Sequence, residues 1–260
     1  IFEYSTLENL KKGENLREMG LVEHLEELRV RIVRIVIIIS IAFILCYTFS
    51  EEIVQFLLAP LKASIGDHGK IIFLGILDKI TAQLQISFWV SIIISSPLWF
   101  YQLWLFIRPA LYPKDLKVIR PFLFFGFFLF WLGILFAYYV VFPLAITTLL
   151  DMGLNDLQAM LDFKEYLVFS SKALVGFGLL FQLPNVMIIL GFMEIVTKYK
   201  LREYRRYVIV AFAVIAAIIT PPDVVTMMGM WIPMVLLYEV GIIAVALFVH
   251  PYLHRKYKNI

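Results

Sequence analysis

The sequence predicts an all-α integral membrane protein with six transmembrane helices and both termini on the cytoplasmic side. The composition is 62% hydrophobic and 17% charged, the mean hydropathy is +0.87, and long runs lack charged side chains. Soluble domains contain about 45–50% apolar and about 25% charged residues. The single cysteine, Cys46, lies in an apolar run, so an internal disulfide framework is excluded.

Apolar runs without Lys, Arg, Asp or Glu define the predicted spans. A helix needs about 20 residues to cross the hydrocarbon core. The second, third and fourth runs are long enough, and the first becomes so once Ile32, Val33 and a snorkelling Arg34 are added. The six runs are Ile35–Ser50, Ile80–Ile107, Pro121–Leu150, Ala173–Met193, Tyr207–Pro222 and Val224–Tyr238.

The fifth and sixth helices are predicted to be short. Tyr207–Thr220 has 14 residues and Val224–Tyr238 has 15, which gives helices of about 21 and about 22 Å. Between them, Pro221, Pro222 and Asp223 favour a tight reversal. The pattern fits either two short spans in a hairpin or one re-entrant element. We prefer two spans, because an even number of crossings preserves the charge asymmetry described below.

Prolines inside the longer runs predict bends in their helices. Pro97, Pro143 and Pro233 are expected to bend their spans, and Pro184 to kink the fourth and free backbone carbonyls for polar partners. Pro60, in the "APL" of residues 59–61, is expected to close a corner of the first outer loop.

Charge distribution predicts the orientation. With six spans, 18 of the 23 Lys and Arg residues lie on the side of the two termini and 5 on the other side, which places both termini in the cytoplasm. Residues 1–20 form a polar N-terminal extension without the apolar core of a signal peptide. Residues 21–249 form the membrane domain, and residues 250–260 form a basic cytoplasmic tail.

Acidic residues at this basic face need a separate explanation. In "LVEHLEELRVRIVR", residues 21–34, Glu27 and Arg31 have the i, i+4 spacing of an intrahelical ion pair. Alternatively, the carboxylate is held at the membrane surface to receive a guanidinium through two parallel hydrogen bonds. Asp115 is a second acid there, among Arg108, Lys114, Lys117 and Arg120; a local salt bridge is its simpler role.

Several longer motifs follow one another along the chain: "HLEELRVRI", "APL", "SSPLWFYQLWLFIRPALYPKDLK", "FAYYVVFPLA", "GFGLLFQLP", "RRYVIVAFAVIAAIITPPDVVT" and "IPMVLLYEVG". In this order they resemble the TatC family, the multi-span receptor subunit of the twin-arginine protein translocase. The resemblance runs from about Leu21 to about Val249 and implies a concave arrangement of helices.

The resemblance implies that the chain binds the signal peptides of folded precursors by reading two adjacent arginines. The family commonly has Glu where this chain has Asp115, so the charge is kept but the reach is one methylene shorter. The residues that the resemblance assigns to signal-peptide binding are Glu27, Arg29, Arg31, Phe106, Pro109 and Asp115.

Three polar residues at membrane depth are candidates for partner docking, since such residues are costly in lipid. They are Gln182, Asp223 and Glu239; the last apolar run resumes after Glu239 and continues to Val249. Simpler roles are a turn cap for Asp223 and access to water for Glu239. Many family members have Glu at the position of Gln182, whose amide does not titrate. The resemblance further implies single-span TatA-like and TatB-like partners near the fifth and sixth helices, and self-association, in a bacterial inner membrane.

Other function classes receive less support from the residues. There is no H-E-x-x-H, G-x-S-x-G or glycine-rich phosphate loop, and the four histidines are scattered. We therefore expect neither an enzyme nor a metal or cofactor site. Positive-inside topology explains the basic loops without nucleic acid. A small-solute secondary transporter that uses Gln182 and Glu239 is the alternative function.

Overall fold

The computed structural model describes residues 21–65, 69–107, 113–151, 159–219 and 224–252. These residues form helices and one pair of short strands. Four predicted features lie outside the described residues: the N-terminal extension, Pro109, the Pro221–Pro222–Asp223 reversal and residues 253–260 of the tail.

The elements, in chain order, are α1 Leu21–Thr48, α2 Ser50–Ile65, β1 Gly69–Ile72, α3 Asp78–Ile94, α4 Ser96–Ile107, α5 Pro113–Phe136, a π-helical turn Ala137–Val141, α6 Phe142–Asp151, β2 Ala159–Asp162, α7 Phe163–Leu180, α8 Leu183–Phe192, α9 Lys198–Ile219, α10 Val224–Ala244 and a second π-helical turn Val245–Val249.

The mostly helical, membrane-spanning class is confirmed. Four helical segments in the described residues are long and apolar enough to cross a membrane, and α3 with α4 makes a fifth if the bent pair is one span. The four segments are Leu25–Thr48, Phe124–Thr148, Phe163–Phe192 and Met227–Tyr252. The fourth predicted span lies at the centre, since 67% of its window is buried, against 11% for the first.

The second predicted run is broken rather than continuous. Helices α3 and α4 meet at Ser95 and are bent by 55°. Pro97 causes the bend, because it has no N–H to donate to the preceding turn. The Trp99 indole N–H instead donates to the carbonyl of Ile92 at 2.8 Å, which satisfies a carbonyl at the end of α3.

Pro60 does not form a loop corner, and that prediction is wrong. The residue lies inside α2, a helix in the predicted outer loop. A proline at position 60 cannot donate to the carbonyl of Phe56, four residues earlier. The Tyr138 hydroxyl donates to that carbonyl at 2.9 Å, and its ring stacks on Phe56 at 4.6 Å. Tyr166 donates to the next carbonyl, that of Leu57, at 3.1 Å.

The fourth span is kinked at Pro184, as predicted. Helix α7 ends at Leu180 and α8 begins at Leu183, with Pro184 in its first turn. The side-chain amide of Gln182 lies in the break and donates to the carbonyl of Gly126 in α5 at 2.7 Å. The kink therefore places a polar side chain against the third span.

The prediction of a short sixth helix is wrong. Helix α10 has 21 residues and continues through the second π-helical turn, so that the candidate span Met227–Tyr252 has 26 residues. Glu239 lies inside this helix and is paired with Arg205 of α9. Helix α9 has 22 residues, but its first half is charged, and the apolar part that begins at Tyr207 remains short.

A two-stranded parallel sheet departs from the all-α prediction. Gly69 to Ile72 of β1 pair in register with Ala159 to Asp162 of β2. The ring of Phe73 lies 4.6 Å from that of Phe163, just beyond the two strands. The pair joins the segment after α2 to the segment before α7, on the side opposite the start of α1.

The bond between Tyr138 and α2 generates a stability prediction. Tyr138→Phe leaves the Phe56 carbonyl without its donor, and we expect a loss of about 1–3 kcal/mol in unfolding free energy. Thermal melting in detergent measures it. Tyr139→Phe is the matched control, because Tyr139 is exposed. Pro60→Ala restores a backbone N–H that can donate to the Phe56 carbonyl. In the Pro60→Ala protein, Tyr138→Phe should therefore lower the unfolding free energy by less than it does in the unaltered protein. An equal loss in both proteins would contradict this explanation.

Candidate functional site

Several helix ends meet at one face, which we call the N-terminal face: the starts of α1, α5 and α9 and the ends of α4, α8 and the second π-helical turn. The ring of Phe122 lies 5.8 Å from Phe192 and 5.3 Å from Phe248. The ring of Tyr252 lies 5.6 Å from Phe192. The aromatic contacts hold the third, fourth and sixth spans together at this face.

Glu27 lies where the start of α1 crosses α4. Arg31 donates to Glu27 Oε1 at 2.8 Å and, with its other terminal nitrogen, to Gln102 Oε1 of α4 at 3.2 Å. The side chains of Glu27 and Arg31 are only 19% and 15% exposed. The predicted i, i+4 pair is therefore present, and Arg31 also links the two helices.

The second carboxylate oxygen of Glu27 has no hydrogen-bond partner among the described residues. Glu27 Oε2 is buried and accepts no hydrogen bond in the described structure. A carboxylate has about four acceptor positions, and leaving a buried acceptor unpaired costs about 1–3 kcal/mol. A positively charged donor that reached this oxygen would remove that cost and add a charge-assisted bond.

The other predicted signal-binding residues fall in different places. Phe106 is partly buried in the last turn of α4, one turn beyond Gln102. Asp115 lies in the first turn of α5, and its side chain is outside the described set. Arg29 is exposed and lies about 200° around α1 from Glu27, so the helix does not bring it to the Glu27–Arg31 pair. Gln102 was not among the predicted residues, although it is a polar residue within the long "SSPLWFYQLWLFIRPALYPKDLK" motif.

A buried amide pair occupies the kink of the fourth span. Asn185 Nδ2 donates to Gln182 Oε1 at 3.3 Å, beside the bond from Gln182 to Gly126. A Cβ at Gly126 would lie 2.3 Å from Asn185 Nδ2, so a larger residue there would force Asn185 to move. Asn185 is 4% exposed, and its Oδ1 has no partner in the described structure. Sequence patterns gave no signal for Asn185, which follows directly after Pro184.

Glu239 forms an ion pair within the helix hairpin of α9 and α10. Arg205 Nη2 donates to Glu239 Oε2 at 2.5 Å, with side chains 46% and 30% exposed. The neighbouring Tyr238 hydroxyl donates to the carbonyl of Leu201 at 2.8 Å. The charged first half of α9 therefore compensates the carboxylate of α10. Asp223 lies outside the described residues.

A charged cleft lies on the opposite side, near the strands. Asp78 accepts hydrogen bonds from the Gly75 N–H and from Lys164 Nζ, the latter at 3.2 Å. These contacts hold the loop before α3 against α7. Within the described ranges, no three His, Cys, Asp or Glu side chains are close enough to hold a metal ion.

Comparison with known proteins gives one consistent result. The family model described as "Sec-independent protein translocase protein (TatC)" matches residues 23–233. TatC of Desulforapulum autotrophicum is 39% identical over 226 residues, 87% of this chain and 84% of that protein. TatC of Escherichia coli strain K12 is 34% identical over 222 residues, 85% of this chain and 86% of that protein.

A solved structure agrees in fold as well as in sequence. The crystal structure of the twin-arginine translocase receptor TatC has a TM-score of 0.79 and 37% identity, and the match covers 86% of this chain and 99% of that one. The chain therefore belongs to the TatC family of Sec-independent protein translocase proteins and is a membrane component of protein transport rather than an enzyme.

Proposed function

We propose that this chain is the receptor and core subunit of a twin-arginine translocase, which binds the twin-arginine signal peptides of folded proteins and organises partner subunits around them. The observation that carries the proposal is the unpartnered Oε2 of Glu27, at the junction of α1 and α4. Family membership and the likeness to the solved twin-arginine translocase receptor support the same function.

The chemistry of the junction favours arginine over lysine as its ligand. Glu27 is four-fifths buried and already held in place through Oε1 by Arg31, so its free oxygen is fixed before a ligand arrives. A guanidinium is planar and less strongly hydrated than an ammonium, so it loses less on entering a partly buried site. A peptide arginine that donates to the buried Oε2 requires the side chains covering this oxygen to move, while Arg31 keeps its bond to Oε1.

A second arginine requires a second anchor, which we assign to Asp115 with Phe106 and Pro109. Gln102 fixes α4 against α1, and α4 ends at Ile107, directly after Phe106. Because the segment 108–112 joins α4 to α5, Asp115 in the first turn of α5 is close in sequence to this junction. The side chain of Asp115 is one methylene shorter than that of a glutamate. The peptide arginine must therefore approach α5 more closely to reach its carboxylate.

The N-terminal face is, on this proposal, cytoplasmic. The excess of Lys and Arg on the side of both termini, 18 against 5, supports an N-in and C-in orientation with six spans. The short apolar half of α9 would then cross with protection from α10, against which it packs. The membrane is proposed to be a bacterial inner membrane, since the relatives described above are bacterial.

Single-span TatA-like and TatB-like partners are proposed to dock along α9 and α10. Helix α9 has an exposed apolar stripe at Val210, Val214 and Ile218, spaced at i, i+4 and i+8. Any local thinning of the bilayer here would come from the short apolar part of α9, because α10 is long. We assign to this partner docking the polar residues Gln182, Asp223 and Glu239. We also propose that copies of this chain associate with one another.

The contacts of Gln182 and Glu239 give less support to the alternative of a small-solute transporter. Gln182 is bonded to the carbonyl of Gly126 and to Asn185, and Glu239 is paired with Arg205. Both polar groups therefore serve contacts between helices rather than lining a free solute site.

Neutralising Glu27 tests the receptor proposal. Glu27→Gln keeps the shape but removes the charge, and a charged hydrogen bond contributes about 1.5–3 kcal/mol. We expect a twin-arginine signal peptide to bind the full chain in nanodiscs about tenfold to hundredfold more weakly, with little change for a twin-lysine peptide.

Glu26→Gln is the matched control for this experiment. It removes the same charge from the neighbouring position, where the side chain is exposed. Equal losses for the two variants would show a general effect of surface charge and would contradict a specific site at Glu27.

Obstructing the stripe on α9 tests partner docking. Val214→Trp adds bulk that lipid can accommodate but a packed helix cannot, so we expect several-fold less co-purification of single-span partners with unchanged peptide binding. Ile41→Trp on α1 is the control, since Ile41 is exposed to a similar degree. Partner recovery reduced equally by both variants would argue against docking at α9.

A further inference from the structure

The charged cleft near the strands is not used by the proposed receptor site. It has a volume of about 670 Å³, far more than the about 10–15 Å³ that one water molecule needs. Its two walls are α3, which contributes Asp78 and Gln85, and α7, which contributes Glu165, Phe169 and Lys172. A wide cleft with an amide and several charges therefore separates two membrane helices on the side of the strands.

Lys172 lies inside the fourth span rather than at its edge. The charge-free run of the sequence begins only after Lys172, whereas α7 starts at Phe163 and the candidate span covers Phe163–Phe192. Nine residues separate Lys172 from the start of this span, which is about 13.5 Å along the helix axis. The ammonium group is thus carried by a segment that is otherwise apolar enough to cross a membrane.

Helix α7 turns one exposed face toward the cleft. Glu165, Phe169 and Lys172 have the i, i+4 and i+7 spacing of a single helix face, and all three are exposed. Ser170 and Ser171, which lie between them in sequence, are fully buried. Side chains of a helix lean toward its N-terminus, which in α7 is the end at the strands. Lys172 therefore leans along the cleft toward its mouth.

The acids of the cleft leave Lys172 without a partner. Asp78 is paired with Lys164 at 3.2 Å, and Asp162 caps α7 by accepting a hydrogen bond from the backbone N–H of Lys164 at 3.1 Å. Within the described ranges, neither Lys172 nor Glu165 takes part in an ion pair. An unpaired ammonium group within a span needs water, because hydrocarbon cannot solvate it.

We infer that the charged cleft is a water-filled vestibule that opens on the side of the strands, and that Lys172 makes its inner end attractive to small anions. Water in the cleft hydrates the Lys172 ammonium group. It also hydrates the amide of Gln85, which lies about 10.5 Å along α3 from Asp78 on the facing wall. A lipid chain in the cleft would leave both groups unsolvated. The vestibule is independent of the proposed receptor role, because it requires neither a signal peptide nor a partner subunit.

The first test is the reaction of single introduced cysteines with a membrane-impermeant thiol reagent, for the full chain in sealed membrane vesicles of both orientations. Ile76→Cys marks the side of the strands, since Ile76 is fully exposed in the loop before α3. We expect Gln85→Cys to react from that same side. The unsubstituted chain gives the background, because its only cysteine, Cys46, is buried.

Leu84→Cys is the matched control for Gln85→Cys. Leu84 is 41% exposed and lies one residue nearer the start of α3, but it does not line the cleft. Gln85→Cys should therefore react several-fold faster than Leu84→Cys although it is deeper. Equal rates at the two positions, or a rate for Gln85→Cys no higher than the background, would overturn the vestibule. Melting temperatures show that each variant is folded.

The second test measures the charge of the inner end. A cleft with low-dielectric walls strengthens the field of a charge inside it, so Gln85→Cys should react faster with an anionic than with a cationic methanethiosulfonate of similar size, relative to the same pair of rates for free cysteine. Adding Lys172→Gln should lower that ratio several-fold. Lys62→Gln is the control, since it removes an exposed lysine from the end of α2, outside the cleft. A ratio unchanged by Lys172→Gln, or lowered equally by Lys62→Gln, would contradict the role of Lys172.

Discussion

The structure depends on side-chain hydrogen bonds that tie helices and helix segments to one another through backbone carbonyls. Lipid offers no donors to such groups, so each must find a partner within the protein. In the described structure, side chains of Trp, Tyr and Gln donate to carbonyls of other helices or helix segments at six places. The donor and carbonyl pairs are Trp99 with Ile92, Tyr138 with Phe56, Tyr166 with Leu57, Gln182 with Gly126, Trp231 with Ile209, and Tyr238 with Leu201.

One of these bonds lies at the bend that directs α4 toward α1. The break stabilised by Trp99 turns α4 by 55° relative to α3, and α4 then reaches the start of α1, where Gln102 meets Arg31. A continuous second helix would not place Gln102 against Arg31 in the same way. The bond from Trp99, the direction of α4 and the contact between α4 and α1 are therefore linked.

The sequence predicted features that have local causes. Charge-free apolar length predicted the membrane class, prolines predicted the bends near Pro97 and Pro184, and i, i+4 spacing predicted the Glu27–Arg31 pair. Features that need a distant partner were missed. Pro60 was placed at a corner because its compensating donor, Tyr138, lies 82 residues beyond Phe56 along the chain.

The same limit applies to the remaining differences. Strands β1 and β2 are four residues each and pair across the chain, so neither has a recognisable pattern alone. The sixth helix was judged short because Glu239 interrupts its apolar run, whereas Arg205 supplies the missing charge. Gln102 becomes a site residue only through its contact with α1. The fold class and the Glu27–Arg31 pair were thus predictable, but the contact of Arg31 with Gln102 was not.

Site-specific photocrosslinking to a twin-arginine precursor tests the central claim, that the junction of α1 and α4 captures the paired arginines. The probe is placed at Leu28 and at Leu103, each next to a junction residue, and at Ile41 as a control on the exposed side of α1. The account predicts adducts from both junction positions at the segment flanking the arginines, and their loss when lysines replace the pair. Adducts of equal yield from Ile41, or adducts indifferent to that replacement, would contradict it.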